Sequence, residues 1–134
     1  MSHEKTWFIG RGTIVMLNPI SVNAALDRLI ELNGQMVNLV GALSLDFEGT
    51  CINHIPKSEC HSDEVGTYQS SIWVNFDLAA MKRNEQWLQQ FDGRHVRVEG
   101  RLAAPEKGFD GCGHFSLWPA EITVNKIVNS NDSD

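Results

Sequence analysis

Two stretches of this chain repeat one construction. Gly34, Val37, Gly41 and Leu43 recur at the same offsets as Gly93, Val96, Gly100 and Leu102. Each stretch follows a segment with apolar residues at helical spacing. Each therefore reads as a glycine-capped helix end feeding a long strand that bends at an interior glycine. Such bends let a small sheet curl until it closes, which removes its exposed edges. Two copies are too few for a stacked-repeat protein.

The rest of the chain fits around these two strands. Trp7–Met16 is an apolar, β-branched run that predicts an opening strand, stopped by Asn18 and Pro19. Ser21 is a natural N-cap for a helix over Val22–Leu32, whose Val22, Ala25, Leu26, Leu29 and Ile30 share one face. Met36–Phe47 predicts the first bent strand, and Cys51–Ile55 a short second one ended by Pro56. The polar stretch Lys57–Gly66 reads as a loop. Ser70–Phe76 then alternates, with Ile72, Val74 and Phe76 on one face and Ser71, Trp73 and Asn75 on the other. Asp77 caps a predicted helix to Phe91 that buries Ala80, Trp87, Leu88 and Phe91. Arg94–Ala103 is the second bent strand, and His114–Ile127 a last strand broken at Pro119.

Three strands, a helix and two strands is the order of the five-stranded OB barrel, a Greek-key closure with its helix plugging one end. The predicted class is mainly β, with two α-helices: one N-terminal, packed on the outside, and one between barrel strands 3 and 4. Residues 1–128 form a single domain, with an extension over 1–33 and the barrel over 34–128, followed by a polar tail over 129–134.

The segments Val40–Leu43, Leu45–Gly49, Ser71–Trp73, Val96–Gly100 and Gly113–His114 resemble those of a loosely defined set of small bacterial proteins with OB-like folds. The resemblance covers residues 34–127. It implies the fold and brings no activity with it.

Charge and cysteine usage narrow the function classes. The 134 residues sum to −6, and residues 35–70 hold five acids (Asp46, Glu48, Glu59, Asp63, Glu64) against the single base Lys57. Net negative charge repels phosphate backbones and favours cationic partners. Three cysteines do not make a disulfide framework, and the apolar run before Asn18 is too short for a secretion signal. With no run long enough to span a bilayer, the expectation is a cytoplasmic protein without membrane contact.

No recognised catalytic spacing occurs, so the expectation is a non-catalytic binding module without a cofactor. The first reading is docking of a protein partner, in the manner of an inhibitor or immunity protein of a cationic toxin. Glu59, Asp63 and Glu64 would supply the acidic surface and Trp73 the aromatic contact. The second is a single-stranded nucleic-acid module that stacks bases on Tyr68 and Trp73 beside Arg97 and Arg101. Glu99 interrupts that basic row. The third is a small zinc domain drawing ligands from Cys51, His54, Cys60, His61, Cys112 and His114. The set lacks a C-x-x-C pair, and the plainer reading leaves these residues structural.

Overall fold

The structure is a computed structural model and describes residues 7–10, 13–46, 48–61 and 68–130. Seven strands occur among them: β1 (Trp7–Gly10), β2 (Thr13–Ser21), β3 (Met36–Ser44), β4 (Cys51–Asn53), β5 (Ser71–Phe76), β6 (His95–Ala103) and β7 (Glu121–Asn129). Five of them close a ring in the order β3-β4-β5-β7-β6, with β6 returning to β3. The β5–β7 pair is parallel and the other four ring pairings are antiparallel. This is the strand order expected of an OB-like barrel.

The two repeated glycines close the ring by letting strands cross tightly. A Cβ on Gly41 would stand 2.5 Å from the Asn53 carbonyl oxygen, and one on Gly100 would come closer still to that of Thr123. Gly100 also sits where the β6–β7 register shifts, because Asn125 is an extra residue in β7. A bulge there sharpens the local twist. Strict alternation along β3 and β6 then sends Val37, Leu39, Leu43, Val96, Val98 and Leu102 into one core, each at most 1% exposed.

The opening run is a hairpin rather than one strand. β1 pairs antiparallel with β2, and β2 runs parallel to β3 where the short β4 leaves that edge uncovered. The N-terminal helix is broken at Arg28 into α1 (Val22–Asp27) and α2 (Leu29–Leu32). Ser21 Oγ accepts the Ala24 N–H at 3.1 Å, as a cap should. The break turns the second segment, so Ile30 is 98% exposed and Leu32 takes its place in the core. Nor does this segment merely coat the outside: Val22, Ala25 and Leu32 belong to the barrel core.

The second helical unit is also segmented. Asp77 caps α3 (Leu78–Met81), Lys82 ends it in a left-handed conformation, and Asn84 caps α4 (Glu85–Leu88), which runs into a 3-10 turn over Gln89–Phe91. Leu88 and Phe91 are buried as predicted, Trp87 is half-buried, and Ala80 is exposed because its turn ends before it can face the sheet. Gly93 N–H donates to Leu43 O, which places this unit at the end of β3. Gly34 N–H donates to Leu102 O, which places α2 at the opposite end. Each end of the barrel therefore has a helical stopper. Residues 114–120, predicted as strand, instead form a 3-10 turn (His114–Ser116) and a coil leading into β7.

Candidate functional site

The outer face of β4 and β5 is covered by the chain's own β6–β7 connection, residues 104–120. Alternation along β5 points Ser71 and Trp73 outward, and Cys51 lies opposite Trp73 on β4. Trp118 lies over them at 2% exposure and forms a second small core with Cys51 and Cys112. Its indole N–H donates to Ser71 Oγ at 3.1 Å. Tyr68 stacks on it at 4.4 Å between centroids, and Trp73 meets it edge-on at 4.9 Å. Two backbone bonds, Cys112 N–H to Trp118 O and its reciprocal, hold the strap's base together. Gly113 lies so close to the Trp73 ring that any side chain there would strike it.

Beside this strap a groove of about 540 Å³ opens between the β3–β4 turn, β5 and α4. Leu45, Phe76 and Leu88 supply its apolar surface, while Asp46, Glu85 and Trp73 stand along it. Among the described residues its lining contains two carboxylates and no Lys, Arg or His. The Trp73 indole is held in place: its N–H donates to Asn75 Oδ1 at 3.0 Å, and Asn75 Nδ2 donates to Glu121 at 2.9 Å. Held in this way, the ring presents a fixed wall with little rotamer freedom left to lose on binding.

The predicted acidic surface is placed only in part. Glu59 is exposed at its head, but one oxygen lies 2.9 Å from His54 Nε2, so it serves a structural contact. Asp63 and Glu64 lie outside the described residues. Trp73 borders the groove, half-buried by the strap. Asp46, counted in the acidic stretch but not assigned to the surface, and Glu85 are the carboxylates that line the groove instead. Glu85 reads in sequence as the acidic first turn of a helix after the Asn84 cap, and nothing local shows that this turn faces Asp46.

The residues of the nucleic-acid reading do not come together. Tyr68 and Trp73 are packed around Trp118 on the β4–β5 wall. Arg97 and Arg101 project from β6, which borders β3 and β7 and neither β4 nor β5. Arg101 donates to the Gly34 carbonyl. Glu99 lies between Asn38 and Lys126 in register, so the row alternates in sign.

The six candidate metal ligands also separate. Among the described residues, no group of three His, Cys, Asp or Glu side chains could hold a metal ion. Cys51 and Cys112 share the Trp118 cluster. Burial pushes both thiols up, Cys112 to about 11 with the carboxylates of Glu121 and Glu106 adding to the effect. His54 lies at the far end of β4, 3% exposed, with Nδ1 accepting the Asn23 N–H at 3.1 Å. Cys60 Sγ is 3.4 Å from the His54 carbonyl, the exposed His61 donates its N–H to Ser70 Oγ, and His114 packs on Phe115. These contacts are structural ones.

No protein-family model matches the chain, and no curated protein is similar to it. The class that can be stated is the fold: a closed five-stranded barrel of OB-like order. Among the described residues no helix is long and apolar enough to cross a membrane.

Proposed function

We propose that this protein is a non-catalytic binding module that docks a basic segment of a protein partner in the groove beside Trp73. The observation that carries the reading is the groove's lining: two carboxylates, a fixed indole and an apolar floor, with no basic group among the described residues. A lysine or arginine entering it meets negative charge on the rim and a π face for its cation. The negative total charge steers such a partner inward from a distance. Expected of an inhibitor or immunity-type protein, this chemistry needs neither cofactor nor catalytic group.

Titration with short arginine- and lysine-containing peptides, followed by the Trp73 indole N–H resonance, tests the reading. Binding should weaken as salt rises and in Asp46→Asn and Glu85→Gln. A single-stranded oligonucleotide should leave the resonance unmoved. Peptide binding that ignores both substitutions, or an oligonucleotide that binds in place of the peptides, would overturn it.

A further inference from the structure

The groove has a second property besides its charge: it exposes an open strand edge. In β5 the parallel ladder to β7 uses the N–H groups of alternate residues, as the bonds from Trp73 to Ala120 O and from Asp77 to Val124 O show. The N–H groups of Val74 and Phe76 therefore point the other way, towards β4. Val74 finds the Thr50 carbonyl at 3.0 Å. β4 begins only at Cys51, and its pairing with β5 ends at Trp73. Two residues past Val74, the N–H and C=O of Phe76, a residue that lines the groove, point to the same side, and among the described residues they have neither a strand beside them nor a partner.

We infer that the groove takes its partner as an extended segment, which adds a short strand to β5 at Phe76. The inference rests on the reading of the groove as a site for basic peptides. An added strand would exchange two backbone hydrogen bonds with Phe76, and its alternate side chains would point to opposite faces. Its side chains then enter a groove lined by the Trp73 ring and the Asp46 and Glu85 carboxylates. A lysine or arginine at alternate positions fits that lining by charge. The volume of about 540 Å³ lies within the range of small-ligand pockets, room for a few side chains of such a segment.

The test uses the full chain and two peptide sets: short segments alternating Arg or Lys with Val or Thr, and the same segments methylated at backbone nitrogens. The plain set should bind and slow hydrogen exchange at the Phe76 amide. Methylation at the pairing position should weaken binding about tenfold, the worth of a lost hydrogen bond. Binding that depends on Asp46 and Glu85 but ignores methylation, with Phe76 exchange unchanged, would overturn strand addition and leave the basic-peptide reading standing. Absence of binding by the plain set would overturn both. Slow Phe76 exchange in the protein alone would place another part of this chain on the edge and also overturn the inference.

Discussion

Trp118 donates its indole N–H to Ser71 Oγ while Ser71 itself lies within reach of the Ile52 carbonyl at 3.4 Å. The bond spans 47 residues of chain and ties the β6–β7 strap to the outer wall of the barrel. On this face an OB fold commonly stacks its ligand. Here the chain's own tryptophan fills it, between Tyr68 and Trp73.

Trp118→Ala should therefore act first on stability. It removes a buried ring, its aromatic contacts and a hydrogen bond, and leaves a cavity beside Cys51 and Cys112. The expected cost is about 3–5 kcal/mol, measured as a lower denaturant midpoint. A loss below about 1 kcal/mol would mean that the strap is not held by this residue.

His54 holds the N-terminal helix to the barrel. Because Nδ1 accepts the Asn23 N–H, the proton sits on Nε2 and points at Glu59. His54→Ala leaves the Asn23 amide and the Glu59 carboxylate without that partner, at a cost of about 1–3 kcal/mol. Amide exchange at Asn23 should accelerate, while β6 and β7 amides respond only to the global loss of stability.

The cysteines should divide by reactivity. Cys60 is exposed and the other two are buried. Alkylation near neutral pH should modify Cys60 in the native protein and reach Cys51 and Cys112 only on unfolding. The raised Cys112 value also links pH to stability. Below the ordinary thiol value of 9.0 both folded and unfolded forms keep the proton, and the contribution is complete. Between there and about 11 the unfolded chain ionises first, so stability falls as pH rises. Cys112→Ser, whose hydroxyl does not titrate in that window, should flatten the fall in a denaturation series across alkaline pH.

Gly100→Ala should be far worse than an ordinary glycine replacement. The new methyl would meet the Thr123 backbone, which cannot rotate aside. Overpacking of this kind costs about 1–3 kcal/mol. Gly41→Ala meets the Asn53 carbonyl and the Ile52 side chain and should behave alike. Circular dichroism melts of both variants check the claim that the two repeated glycines close the barrel.

Much of the fold was legible because its signals are local. Ser21 and Asp77 cap the turns that follow them, and Gly34 and Gly93 take the positive φ of a helix end. Alternation assigned the inner and outer faces of β5 correctly. The errors in the helices came where a helix ended early. Arg28 and Lys82 interrupt helical patterns that look continuous, so Ile30 and Ala80, expected in the core, face solvent.

The candidate site was less legible, for a reason of range. Periodicity and capping act over a few residues, and they suffice to specify strands, turns and the glycines on which the ring bends. Where Trp118 docks, and how far β4 falls short of the end of β5, depend on register between segments tens of residues apart. That register is set when the whole core packs at once, since a strand can slip only by turning its buried face outward. The barrel was therefore readable from the residues in order, and the groove beside Trp73 exists only once Asp46, Phe76 and Glu85 have been brought to one place.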